Sequence, residues 1–249
     1  MTTIATNLQI VHARLAATCR AADRDIAEVC LLAVSKTFGP QAIAQAYAAG
    51  QTAFGENYIQ EAVLKITSLR HLSNPPLQWH CIGPIQSNKT RLVAEHFDWV
   101  QTVDRQKTAQ RLSEQRPAHL PPLQVCIQVN VDGGASKSGV LAQAALALAL
   151  QVKALPNLRL RGVMSIPEPA PDFAAACAVF ARIKAVFDDL NAAGLALDTL
   201  SMGMSADMEA AIHSGSTMVR VGSAIFGARP RDVSADAPLP SAAPGASSS

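Results

Sequence analysis

Eight short apolar runs punctuate this chain, and helical patterns alternate with them. The runs are Val29–Val34, Thr52–Phe54, Gln78–Ile82, Trp99–Thr102, Leu123–Val131, Leu158–Met164, Thr199–Met202 and Met218–Val221. Helical patterns fill the gaps at Pro40–Ala49, Tyr58–Leu69, Asn88–His96, Arg105–Arg116, Val140–Ala154, Asp172–Ala193 and Ala206–His213. Another amphipathic helix, Thr6–Ala21, precedes the first strand, with Leu8, Val11, Leu15 and Ala16 on one face. Several strands are apolar throughout rather than alternating, as a parallel sheet covered by helices requires. The alternation therefore predicts a single (β/α)8 TIM-type barrel with an extra N-terminal helix. A doubly wound open sheet is the architecture that competes with it.

The rest of the chain agrees with one such unit. Its 249 residues match the roughly 250 of a typical barrel. From Pro230 onward the sequence is Pro, Ala, Ser and Asp with almost no large apolar side chain. Residues 1–229 are thus expected to form one domain, and 230–249 a disordered tail. A net charge of +2 offers no footprint for nucleic acid or a membrane surface. The longest apolar run, Ala144–Leu150, is too short to span a bilayer and reads as one buried helix face. With no uninterrupted apolar stretch near the N-terminus, the expectation is a soluble, cytoplasmic protein. Cys19, Cys30, Cys81, Cys126 and Cys177 are odd in number, lack a CxxC pair and read as reduced, buried thiols. His12, His71, His96, His119 and His213 show no metal-ligand spacing and read as ordinary surface or helix residues, so no metal is expected.

A barrel places its chemistry just past the C-terminal ends of its strands, and polar residues stand at all eight such positions. They include Ser35-Lys36-Thr37, Gly55-Glu56-Asn57, His80, Asp104-Arg105, Asn130, Ser165, the SMGMS segment Ser201–Ser205, and Arg220 followed by Gly222-Ser223. Lys36 is the centre. It follows the apolar run LLAV, so its side chain points into the barrel mouth, where a partly desolvated amine is a usable nucleophile toward aldehydes. The bland alternative is a lysine that snorkels off a strand end. SMGMS and VGS set small residues where backbone N–H groups can approach an anion, as the loops after strands 7 and 8 of barrels commonly do. Ser205 is also placed to cap the helix expected at Ala206. A nucleophilic lysine facing a phosphate cradle implies a phosphorylated aldehyde or ketone: pyridoxal phosphate, or an aldolase-type sugar phosphate with Glu56 and Asp104 as the available acids. Glu56 also reads as a capping or structural group.

LLAVSKTF, FGENYIQEA, WHCIGPIQSNKTR, QTVDR, QVNVDGGASKSGV, LRGVMSIPEP and LSMGMSADMEAAIHSGSTMVRVGSAIFGAR closely resemble the pyridoxal phosphate homeostasis protein family, over about residues 5–229. That family is similar to the barrel domain of alanine racemase, the fold-type III arrangement, without the racemase's second domain. The resemblance implies pyridoxal 5′-phosphate (PLP) held covalently as a Schiff base on Lys36. It implies Ser201, Gly203, Ser205, Gly222 and Ser223 around the phosphate, Arg220 facing the pyridine nitrogen, and Asn57 and His80 beside the ring. It further implies a non-enzymatic carrier in vitamin B6 homeostasis that delivers PLP to apo PLP-dependent enzymes, and a monomer. Phe38 stands where many relatives carry a second lysine, and Gln101 where many carry histidine. Lys65, Lys89 and Lys137 match recurrent lysines, but each reads equally as an ordinary solvated side chain. The alternative is a PLP enzyme acting on amino acids, such as a slow racemase. An arginine at the pyridine nitrogen cannot supply a proton, which weakens the electron sink. Racemisation needs a second base on the opposite face; Tyr47 reads as a helix-core residue, and only Tyr58 lies near the mouth. Met202 and Met204 read as packing near the cofactor.

Overall fold

The computed structural model describes residues 3–134 and 137–228. The tail expected at 230–249 lies outside the described residues. Among the described residues nine strands form, and eight of them close into a parallel ring. In chain order they are β1 (Cys30–Val34), β2 (Ala53–Glu56), β3 (Gln78–Cys81), β4 (Trp99–Val103), β5 (Leu123–Asn130), β6 (Val140–Leu141), β7 (Leu158–Met164), β8 (Thr199–Met204) and β9 (Met218–Val221). The ring runs β1-β2-β3-β4-β5-β7-β8-β9 and returns to β1. Pairing of β4 with β5, at Trp99 opposite Gln124 and Val100 opposite Val125, closes it and excludes the open sheet.

The helices are α1 (Ile4–Ala21), α2 (Pro40–Ala48), α3 (Ile59–Ser68), α4 (Thr90–His96), α5 (Gln106–Gln115), α6 (Ala145–Lys153), α7 (Phe173–Ala192), α8 (Met208–His213) and α9 (Ser223–Phe226). Local signals start several of them. The Thr3 hydroxyl accepts from Thr6 N–H at 3.1 Å to cap α1, and Asp172 accepts from Ala175 N–H at 2.8 Å to cap α7. Pro40 opens α2, where its fixed φ costs nothing. The main core lies between helices and strands, with Leu8, Leu15, Ile43, Phe54, Phe97, Leu112 and Phe180 all fully buried. Burial of each such side chain contributes about 1.5–3 kcal/mol. Inside the ring, smaller clusters such as Leu32, Ala53, Ile82 and Met218 share space with polar residues. Gly162 permits the tightest strand contact: a Cβ there would stand 1.6 Å from the Thr199 carbonyl oxygen.

Several expectations are corrected. β2 and β8 each run two residues further than their apolar stretches, taking in Gly55-Glu56 and Gly203-Met204, because pairing to neighbours extends the ladder past the hydrophobic signal. The helix expected from Val140 starts at Ala145; Val140–Leu141 instead pair beside the end of β5, after Gly139 turns at φ 113°. The run Ala144–Leu150 is not one buried face, since Leu146 and Leu150 are exposed while Ala145, Leu148 and Ala149 are buried. Of the cysteines, Cys30 is exposed and Cys177 half-buried; all five are free. Among the described residues, no helix is long and apolar enough to cross a membrane.

Candidate functional site

A cavity of about 340 Å³ opens at the C-terminal mouth of the barrel, a size that suits a small-molecule site. Val34, Lys36 and Phe38 from the end of β1, Asn57 after β2 and Ile82 after β3 form one wall. Ile166, Met204, Ser205 and Ala206 face them, and Arg220, Gly222, Ser223 and Gly227 complete the lining. Phe38 is held by stacking on Phe226 at 5.1 Å between centroids. Among the described residues, two basic side chains and several apolar ones thus line the cavity, and no carboxylate does.

Lys36 is half-buried, and no group among the described residues hydrogen-bonds or ion-pairs with its ammonium. Its neighbours are fixed more firmly. The Ser35 hydroxyl donates to Glu56 Oε1 at 2.6 Å, and Lys65 Nζ donates to the same oxygen at 2.8 Å. Glu56 therefore does not cap a helix but ends β2 as a buried, ion-paired side chain. Burial pushes its carboxyl above the ordinary range, and the nearby Lys65 ammonium only partly offsets this. Nor is Lys65 a solvated helix lysine, because it is 3% exposed.

Arg220 forms the floor. It is 4% exposed and meets no carboxylate within ion-pair distance among the described residues. Burial lowers its guanidinium to about 10, so it stays charged at neutral pH. Its Nη1 donates to Ser201 Oγ at 2.7 Å and its Nη2 to the Ser165 carbonyl at 2.9 Å. A guanidinium carries five N–H donors, which leaves some for an acceptor in the cavity. Ser201 Oγ donates onward to Gln101 Oε1 at 2.7 Å, and Gln101 Nε2 donates to His80 Nδ1 at 3.0 Å. His80 stacks on Trp99 at 5.0 Å, and burial pushes its imidazole down to about 3, so it is neutral.

Opposite Lys36, the backbone N–H groups of Ser205, Ala206 and Ser223 donate to nothing among the described residues. Arg14 of α1 fixes this loop, donating to the Ser205 carbonyl at 2.8 Å and pairing through two nitrogens with Glu209. Ser205 is not the cap of α8, which begins at Met208; Asp207 closes the turn instead, accepting from Met204 N–H at 2.6 Å.

The mouth therefore gathers Lys36, Asn57, Ser205, Arg220, Gly222 and Ser223. It does not bring His80, Ser201 or Gly203 to the cavity surface. Ser201 lies three residues inside the end of the lengthened β8, beneath Arg220. His80 lies behind Gln101, while Ile82 takes the wall position. Gly203, at φ 93°, lets β8 pass α8 closely: a Cβ would stand 2.4 Å from Ala211 Cβ. Asn130 turns inward on its own loop, accepting from the Asp132 and Gly133 N–H groups. Tyr47 is not a core residue but half-buried, its hydroxyl donating to the Pro75 carbonyl. Tyr58 is 53% exposed and lines, with Gln86 and Lys89, a separate neighbouring cavity that also touches Asn57. Met204 lines the mouth, whereas Met202 is buried in the core. Lys137 pairs with Asp132 and Glu168. Sequence reasoning missed the walls Ile82 and Ile166 and the ties made by Arg14 and Lys65; for Lys65 the i,i+4 spacing to Glu61 was the available signal.

The donor set fits the cofactor that the sequence suggests. A desolvated cation on the floor, an amine on one wall and uncommitted N–H groups on the other match an aromatic ring bearing a phosphate and an aldehyde. Asn57 adds a buried Oδ1 with no hydrogen-bond partner among the described residues. Comparisons with known proteins agree. Residues 10–230 match the alanine racemase N-terminal domain family. A pyridoxal phosphate homeostasis protein from Pseudomonas aeruginosa is 61% identical over 92% of this chain and 97% of its own. One from Escherichia coli K12 is 52% identical over 92% of this chain and 98% of its own. The structure of PipY from Synechococcus elongatus PCC7942 with PLP bound is 35% identical, with a TM-score of 0.78 over 90% of this chain and all of PipY. Matched along nearly its whole length, the chain belongs to the pyridoxal phosphate homeostasis protein family, a single-barrel branch of the alanine racemase N-terminal domain fold.

Proposed function

We propose that this protein binds PLP covalently, as a Schiff base on Lys36, and serves in the cytoplasm to sequester the cofactor and deliver it to apo PLP-dependent enzymes. One observation carries this reading: among the described residues the cavity holds two basic side chains, Lys36 and Arg220, and no carboxylate to neutralise them. PLP supplies the electrophilic aldehyde and the phosphate that such a site can accept. Lys36 offers the amine, Ser205, Ala206, Gly222 and Ser223 the phosphate contacts, and Arg220 a donor for the pyridine nitrogen. Asn57 stands beside the ring. His80, Ser201 and Gly203 act from behind these groups, through hydrogen bonds and packing. Binding without catalysis is favoured by the lining, in which Lys36 is the sole candidate base among the described residues, since Tyr58 faces the neighbouring cavity. An open mouth on one folded barrel, working as a monomer, suits exchange better than chemistry that must exclude water.

Absorption spectra of the purified protein with PLP, for wild type and Lys36→Ala, test the reading. We expect a visible band in the wild type whose borohydride-reduced adduct maps to Lys36. A band that does not need Lys36, and an adduct elsewhere, would overturn it. Exchange of an amino-acid α-proton in deuterated water, lost in Lys36→Ala, would replace the carrier with the slow racemase.

A further inference from the structure

We propose that Glu61 and Lys65 are positioning residues for Lys36: with Glu56 they form a clamp, buried at Lys65 and Glu56 and half-buried at Glu61, that fixes the backbone on both sides of the nucleophile. The inference rests on the reading of Lys36 as the reactive amine. Lys65 Nζ meets three oxygens: Glu56 Oε1 at 2.8 Å, the Ser35 carbonyl at 3.0 Å and Glu61 Oε1 at 2.5 Å. The first two are hydrogen bonds and the third is an ion pair, so two of the ammonium's three N–H donors are committed to the residues around Lys36. On the N-terminal side of Lys36, Ser35 is held twice, through its carbonyl to Lys65 and through its hydroxyl to Glu56. On the C-terminal side, the Thr37 N–H donates to Glu61 Oε1 at 2.9 Å. Thr37 has φ 68°, a conformation unfavourable for a β-branched residue. Something must hold it there, and the Glu61 carboxylate makes the direct bond. Lys36 thus lies between two tethered residues while its own side chain is bound to nothing among the described residues.

A buried ion cluster is seldom the cheapest way to stabilise a fold, because apolar replacements of similar volume often do as well. Its geometry here is better explained by what it orients. The strand end and the turn are locked with Lys36 facing the cavity, so the amine need not search for its direction when an aldehyde arrives.

The test separates positioning from stability by reading Lys36 itself. Amine acetylation of the apo protein with acetic anhydride, followed by mass spectrometry, gives the rate at Lys36 relative to exposed Lys107 in the same molecule. Glu61→Leu removes the acceptor for Thr37, and Glu61→Gln keeps one. We expect Glu61→Leu to change the Lys36 rate about ten-fold, to slow PLP binding in parallel, and Glu61→Gln to restore most of both. Lys65→Met should act in the same direction if it folds; the Glu61 pair, on a residue whose side chain is 36% exposed, decides the matter if it does not. Unchanged Lys36 labelling and PLP binding in Glu61→Leu would overturn the proposal, whatever happens to the melting temperature. Labelling that shifts while PLP fails to reach Lys36 in any variant would leave the clamp standing and remove the cofactor assignment instead.

Discussion

Beneath Lys36, the side chains of Lys65 and Glu56 are 4% and 0% exposed; on the loop after β5, those of Lys137 and Asp132 are 24% and 19% exposed. Both groups consist of a lysine between two carboxylates, Glu61 completing the first and Glu168 the second. Water makes them different. At the loops, burial is the largest single influence on Asp132 and pushes its carboxyl up. Donors from Lys137 and the Glu168 N–H, with Arg182 nearby, outweigh it and hold the carboxyl below its ordinary 3.8. Under Lys36 the balance reverses, and burial leaves Glu56 raised even with Lys65 in contact. The same chemistry therefore serves as an exposed fastening in one place and as a rigid internal part in the other.

The largest effect should come from breaking the internal cluster. Lys65→Met leaves Glu56 buried without its cation, which costs about 3–5 kcal/mol, read by urea denaturation. Adding Glu56→Gln removes the stranded charge, and the double variant should recover a good part of that loss. A double variant as unstable as the sum of the singles would mean that the two groups act independently and that the contrast with the loop cluster is false.

Arg14 and Glu209 supply an intermediate case, with side chains 39% and 37% exposed. After discounting for solvent screening, Glu209→Gln should cost only about 1 kcal/mol. The bond from Arg14, working against burial, holds the Glu209 carboxyl below its ordinary 4.5. A depressed acid stabilises the fold above its unfolded value and loses that contribution as pH falls through the folded one. The stability gap between wild type and Glu209→Gln should therefore be full at neutral pH and close progressively below pH 4.5. A gap that persists in acid would assign the loss to packing rather than to charge. Because Arg14 also holds the Ser205 carbonyl, Glu209→Gln should weaken PLP binding only modestly.

These ties mark where the sequence stopped being readable. The barrel was legible because apolar runs and helical periods alternate without exception, and Lys36 because it directly follows such a run. Glu56 was not legible as a strand residue: a carboxylate carries no strand signal, and its partner Lys65 stands nine residues away on α3, a pairing only the closed fold supplies. Ser201 and His80 were assigned to the mouth because nothing local reports how deep in the ring a strand residue lies. Once β8 extends to Met204, Ser201 sits beneath Arg220 rather than beside the opening. Arg14 gave no local sign at all, since its partners Ser205 and Glu209 lie at the far end of the chain.

The smallest effect is expected at the loop cluster. Lys137→Met removes a cation from Asp132 and Glu168, but Arg182 remains near Asp132 and water reaches all of them, so the loss should be about 0–1 kcal/mol. Salt sharpens this into a contrast with the internal cluster. The screening length shrinks from about 10 Å at 0.1 M salt to about 3 Å at 1 M, so denaturation near 1 M salt should narrow the gap between Lys137→Met and wild type. Lys65→Met should keep its deficit under the same conditions, because ions cannot enter where the side chain is 4% exposed. Equal salt sensitivity in the two variants would show that water reaches the cluster beneath Lys36, and would return the flanks of Lys36 to ordinary surface electrostatics.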